Sequence, residues 1–250
     1  MTGVLKLMSI IVLATLAFAS PVLAAPKVLF DNGHGERFQV QEEGPLQLSG
    51  LAEVFQGAGL QVGTVDQPLS DATLAGAQAL VISGAFTPLH PNEVEAVARF
   101  IDNGGKVAIM LHIAPPMASM LDRLQVSYTN GVVQERENVI EGDLLRFRVT
   151  RFKSHPVLTG IQDFSVNGAW GLINQTDSAR VIAATGQQAW IDLDQDQKQA
   201  KEETASFGLV AAGEIGKGAF LVFGDDAIFQ NKFLEGNNKT LAANLAAWLK

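Results

Sequence analysis

Lys27-Val28-Leu29-Phe30-Asp31-Asn32-Gly33-His34-Gly35-Glu36 is the stretch on which the fold turns. A short apolar run ends abruptly in a polar loop, as a buried parallel strand does where it reaches its carboxyl end. Open α/β sheets hold ligands beyond that end of their strands, so Asp31, His34 and Glu36 are the first candidate site residues. A plainer role for Asp31 is to tighten its own loop, with Gly33 and Gly35 supplying backbone freedom.

Working outward, Ala79–Ser83 and Lys106–His112 are nearly continuous apolar runs of the kind buried on both faces of a parallel sheet. Helical spacing separates them. Pro45–Ala58 carries Leu46, Leu48, Leu51, Val54 and Phe55 at mixed intervals of three and four, ends at Gly57 and Gly59, and leads to a run over Leu60–Val65. A second helix is expected over Pro91–Asp102, with proline near its start, Glu93 and Glu95 in its first turn, and Asn103-Gly104-Gly105 closing it. A shorter one is expected over Pro116–Leu124.

Between about Gln125 and Leu193 the pattern changes to short alternating runs: Gln125–Tyr128, Leu144–Thr150, Phe164–Trp170, Arg180–Ala184 and Gln188–Leu193. These predict an antiparallel, β-rich insert, added to the sheet edge or forming a small lobe. The buried-strand pattern returns at Ala219–Phe223, followed by the loop Gly224-Asp225-Asp226 and a closing helix over Asn238–Leu249. The expected fold is α/β and Rossmann-like: a mostly parallel sheet flanked by helices, with an antiparallel insert.

Residues 1–24 read as an export signal, with Lys6 ahead of an apolar run from Leu7 to Ala19 and the small-residue site Val22-Leu23-Ala24. The run is shorter than the ~20 residues that span a bilayer. Cleavage after Ala24 would leave residues 25–250 as one α/β domain, periplasmic or secreted and not inserted in a membrane. The chain has 18 Lys and Arg against 26 Asp and Glu, for a net charge of −8, and cleavage removes only Lys6 among charged residues. Such a balance argues against nucleic acid and anionic membrane surfaces as partners. The sequence contains no Cys, so thiol nucleophiles and Cys metal sites are excluded.

If the strands are parallel, their carboxyl-end loops share one rim. That rim gathers Asp31, His34 and Glu36, then Asp66, His90, His112, Asp225 and Asp226. His34 and His112 with a carboxylate have the chemistry to ligate a divalent ion such as zinc, although no His-Glu-x-x-His spacing is present. The run Asp192-Leu193-Asp194-Gln195-Asp196, with Glu203 in twelfth place, has the carboxylate spacing of a calcium loop. Gln197 stands where such a loop wants glycine, which favours a solvated hairpin. No Gly-x-Ser-x-Gly elbow occurs, and Gly213–Gly218 precedes a strand, so it reads as a turn and not a phosphate cradle. Trp170 and Trp190, within the insert, read as core residues ahead of sugar-stacking ones.

Three segments carry a family resemblance: Val28–Glu36, His155-Pro156-Val157-Leu158-Thr159-Gly160-Ile161, and Gly216–Asp226 through Phe229-Gln230-Asn231. With the last helix, including Asn244 and Trp248, they resemble the class I glutamine amidotransferase-like superfamily. The branch they look most like is a non-catalytic one, which holds the periplasmic domain of gliding-motility-type ABC transporter auxiliary proteins and a related intraflagellar transport domain. True amidotransferases carry a catalytic Cys on an elbow after a central strand. Here that strand leads into Ile113-Ala114-Pro115-Pro116, without thiol or elbow, so no amidotransferase activity is expected.

The resemblance implies a pseudoenzyme: an exported binding or accessory module without a cofactor. Its ligand would be a small molecule or glycan, or its partner a membrane transporter component. The expected surface is formed by Asp31, His34, Glu36, His112 and Asp225, and the alternative is a metal-dependent hydrolase with His34 and His112 as ligands and Glu36 as base.

Overall fold

The computed structural model describes residues 25–250, so the export signal read over residues 1–24 lies outside the described residues. Among the described residues no helix is long and apolar enough to cross a membrane. The chain begins β1 (Lys27–Asp31), α1 (Ser49–Gly57), β2 (Gln61–Val65), β3 (Ala79–Ser83), α2 (Pro91–Asp102), β4 (Lys106–Met110) and α3 (Ala118–Arg123). It continues through β5 (Val126–Val132), β6 (Val139–Ile140), β7 (Asp143–Val149), β8 (Arg151–Phe152), β9 (Phe164–Asn167), β10 (Trp170–Asn174) and β11 (Ala179–Ala184). It closes with β12 (Gly208–Ile215), β13 (Gly218–Phe223) and α4 (Gly236–Leu249).

The main sheet runs β2-β1-β3-β4-β13-β12-β10-β5. Its first five strands are parallel. The next three alternate antiparallel, and β11 and β8 branch from β12. A second, three-stranded antiparallel sheet, β6-β7-β9, stands apart. The insert therefore does two things: β5, β10 and β11 extend the main sheet, while β6, β7 and β9 form the separate one.

Strand alternation sorts the core into two layers. Val28, Phe30, Val81, Met110, Leu221 and Phe223 face α1, α4 and the small sheet, burying Leu51, Phe55, Leu241, Leu245, Phe147 and Phe164. Leu29, Leu80, Ile82, Ile109 and Val222 face the other way, onto Val94, Val97 and Ile101 of α2 and Leu121 of α3. The helices after β1 and β3 thus lie on opposite faces. The order in which strands are added reverses between these two parallel strands, opening the crevice where such folds place ligands.

Helix α2 matches its expected bounds because its signals are local: His90 caps it, Pro91 starts it and Glu93 completes a capping box. Helix α1 begins four residues later than its apolar spacing suggests. Gln47 N–H bonds Gly44 O, and Leu48 N–H bonds Gln39 O, so Pro45–Leu48 is held as a turn. Gln188–Leu193 is not a strand: only Trp190 forms bridges, to Gln134 and Thr204. The expected strand over Phe164–Trp170 is split into β9 and the start of β10.

At the close of β13 the backbone runs against β10: Trp170 N–H bonds Gly224 O at 2.7 Å, and Gly224 N–H bonds Leu209 O at 2.9 Å. A methyl group on Gly224 would overlap the carbonyl oxygen of Trp170. Gly224→Ala should therefore destabilise the fold by about 1–3 kcal/mol, the usual range for overpacking, as read by urea denaturation. A variant with wild-type stability would show that this junction yields freely.

Candidate functional site

The opening loop is buried. Asp31, His34 and Glu36 are 3%, 4% and 5% exposed, and they engage one another instead of lining an open rim. His34 Nδ1 lies 2.6 Å from Asp31 Oδ2, and its Nε2 lies 3.2 Å from Oε1 of Glu93 at the start of α2. Ionised carboxylates only accept, so a ring between two of them donates from both nitrogens as an imidazolium. Burial alone would lower the His34 pKa, but the bonds and charges of Asp31 and Glu93 outweigh it and raise it to about 9.

Glu36 Oε2 accepts the His34 backbone N–H at 2.8 Å, while its Oε1 is buried with no hydrogen-bond partner among the described residues. Burial, then the charge of Asp31, pushes the Glu36 carboxyl up to about 8, so it holds its proton at neutral pH. Glu93 also accepts N–H groups from Leu69 and His90. Those bonds and His34 keep its pKa below the usual carboxylate value against the opposing effect of burial. Asp31 Oδ1 accepts the Gly33 N–H, which is the loop-tightening role.

Asp31, His34 and Glu36 each offer a ligand atom within 4.8 Å of the others. With both nitrogens donating, however, the His34 ring has no lone pair for a metal. His112 belongs to a different pair, and among the described residues no such group of three contains both histidines.

The exposed part of the rim lies where β4 and β13 end. The His112 side chain is 39% exposed, and its Nδ1 is 3.1 Å from Oδ1 of Asp226, which is buried. That bond, partly offset by burial, raises the His112 pKa. Burial pushes Asp226 up, opposed by His112. Around His112 stand Phe38, edge-on at 5.0 Å, and Phe86 at 5.3 Å between ring centres. Arg37 lies over Phe86 at 4.5 Å, and Trp170 Nε1–H donates to the His112 carbonyl at 3.1 Å. Gly84 keeps this junction open, since a Cβ there would lie 2.7 Å from Asp226 Oδ2.

Asp225 points inward. Its Oδ2 accepts the Asn167 N–H at 2.5 Å and its Oδ1 the Ala227 N–H at 2.9 Å, which ties β9 to the short turn after β13. Full burial, then the neighbouring Asp226 charge, pushes its carboxyl up to about 7. The five expected residues therefore divide into a buried cluster, a buried strap and one exposed histidine. The sequence did not single out Glu93, Phe38, Phe86 or Arg37 as site residues; the capping box and the residues next to Glu36 were the signals available.

Asp192, Asp194 and Asp196 do gather within 4.8 Å. Each accepts a backbone N–H within its own loop, and both oxygens of Glu203 are taken, by Leu193 and Ala200. Trp190 is buried, as expected of a core residue, and Trp170 is half-buried at the rim.

A mostly parallel sheet flanked by helices and extended by antiparallel strands is a Rossmann-like α/β fold, of the kind seen in class I glutamine amidotransferase-like proteins. Residues 40–246 match the domain of unknown function DUF4350, and the chain belongs to that family. An IFT52 N-terminal domain (mmIFT52) is similar over 89% of this chain and 96% of its own, with 14% identity and a TM-score of 0.71. A cytoplasmic protein from Salmonella typhimurium is similar over 90% and 99%, with 15% identity and a TM-score of 0.59. A ThuA-like protein from Bacteroides uniformis is similar over 93% and 95%, with 14% identity and a TM-score of 0.51. At such identities these likenesses speak for the fold. No curated protein matches the sequence.

Removing the His34 ring would leave Asp31 and Glu93 buried without their shared cation. His34→Ala should therefore cost about 3–5 kcal/mol in urea denaturation near pH 7. Both His34 and Glu36 hold their protons more tightly folded than unfolded. The stability this gives is full below the unfolded pKa values, 4.5 for Glu36 and 6.5 for His34, and is lost as pH rises through about 8 and about 9. Melting temperature should fall between pH 5 and 9, and Glu36→Gln, which mimics the protonated acid, should flatten that fall. Parallel profiles for wild type and variant would refute the protonated Glu36.

Proposed function

We propose that this protein is an exported, non-catalytic binding module that engages a small molecule, glycan or partner protein at the carboxyl-end rim of its sheet. It would be related to the periplasmic auxiliary domains of gliding-motility-type ABC transporters. The carrying observation is the exposed His112, oriented by buried Asp226 and set among Phe38, Phe86 and Trp170. A fixed polar tip within an aromatic frame suits recognition.

The absence of Cys from the sequence removes the superfamily's own nucleophile. The metal-dependent hydrolase has less support, because the His34 ring is spent on two carboxylates and Glu36 is buried, with burial pushing its carboxyl up to about 8. A surface cleft of about 640 Å³ lies away from the rim, between Lys27, Asp71, Phe100 and Asn103, and lacks a comparable set of oriented groups.

Export predicts a mature chain beginning at Ala25 in the periplasm or medium, read by mass spectrometry. Binding predicts that a thermal-shift screen of glycans and small metabolites gives hits that disappear in Phe86→Ala and His112→Ala. Hits that survive both variants would place binding elsewhere. A stoichiometric transition metal in purified protein, lost in His34→Ala and His112→Ala, would overturn this reading in favour of the hydrolase.

A further inference from the structure

We propose that the rim binds a small organic carboxylate, its charge held by the Arg37 guanidinium and the His112 imidazole and its carbon skeleton laid against Phe86 and Phe38. This rests on the binding-module reading and goes further by naming the ligand's chemistry. In a chain of net charge −8, Lys and Arg are outnumbered by carboxylates, 18 to 26. Arg37 is exposed and makes no ion pair among the described residues, although it lies over an aromatic face.

The same Phe86 ring carries both groups, with the Arg37 guanidinium 4.5 Å and the His112 ring 5.3 Å from its centre. Phe38 stands edge-on to His112 at 5.0 Å. The Nδ1–H of His112 is committed to Asp226, so the ring is fixed and Nε2 is left for a ligand. Asp226 stands behind His112, and Arg37 has no carboxylate partner among the described residues, which makes Arg37 the uncompensated cation; when protonated, His112 adds a directional Nε2–H donor. A guanidinium fork matches the two oxygens of a carboxylate, and the half-buried Phe86 and Phe38 rings border the two groups with apolar surface for the carbon skeleton. A neutral ligand would leave the guanidinium unanswered.

The test is an amide-resolved NMR titration of the protein with two pairs of probes at millimolar concentration. D-glucuronate is set against D-glucose, and N-acetylphenylalanine against N-acetylphenylalaninamide. At least one carboxylate should shift Arg37, Phe86 and His112 while its neutral counterpart does not, and the responding pair tells a sugar acid from a peptide-terminal carboxylate. Arg37→Ala should weaken that binding about tenfold or more, as loss of a charged hydrogen bond does, and Arg37→Lys should weaken it less. Arg37 is exposed, so these variants should keep the wild-type melting temperature.

Neutral probes that bind as well as charged ones and shift the same rim residues would overturn the carboxylate and leave the rim reading intact. Shifts confined to other surfaces, unaffected by Arg37→Ala and His112→Ala, would overturn both. No shift from any probe would overturn this proposal alone.

Discussion

One buried imidazolium holds the carboxyl end of this sheet together. His34, from the loop after β1, bonds Asp31 at the foot of that loop and Glu93 at the first turn of α2, so a single ring joins two elements whose helices leave on opposite faces of the sheet. Glu93 in turn accepts from Leu69 and His90, which also anchors the segment leading from β2 and the cap of α2. A buried charge of this kind costs desolvation, and two hydrogen-bonded carboxylates offset that cost only while all three groups stay in place. The loop is therefore held in place by Asp31, His34 and Glu93 answering one another.

That arrangement sets what lies above it. The His34 carbonyl accepts N–H groups from Phe86 and Thr87, which draws the loop after β3 onto the loop after β1. Phe86 is thereby delivered to the side of His112, and Arg37 and Phe38 follow directly from the buried Glu36. The half-buried aromatic rim is a consequence of the buried charge cluster beneath it, and the two form floor and surface of one construction.

Much of this was legible in the sequence, and the exceptions have physical causes. The parallel strands announced themselves as apolar runs, and α2 as a capped helix, because those signals lie within a dozen residues. Strand β12 went unseen because Gly208-Leu-Val-Ala-Ala-Gly-Glu-Ile carries small residues and no alternation; it is a strand because β13 and β11 pair with it on either side. The opening loop is readable as the carboxyl end of the first strand, but its burial is hidden, since the group that satisfies His34 is 59 positions away in Glu93. Asp225 shows the same effect: its partner Asn167 comes from the insert. Charge in a loop is visible in a sequence, whereas its long-range partner is not.

The protein contains two histidine–aspartate pairs of nearly identical chemistry, and burial decides their roles. At His34 the second nitrogen meets Glu93 inside the fold, so the ring has nothing left to offer and acts as a bolt. At His112 the second nitrogen has no bond to the protein among the described residues, and the aspartate behind it serves only to orient the ring. The same pair thus stabilises when closed by a second carboxylate and presents a donor when left open. Because Asp226 is almost fully buried, it cannot turn away to be solvated, and the open pair keeps its geometry whether or not a ligand is present. Preorganisation of that sort lowers the entropic cost of engaging a ligand, because the ring need not be ordered at the moment of contact.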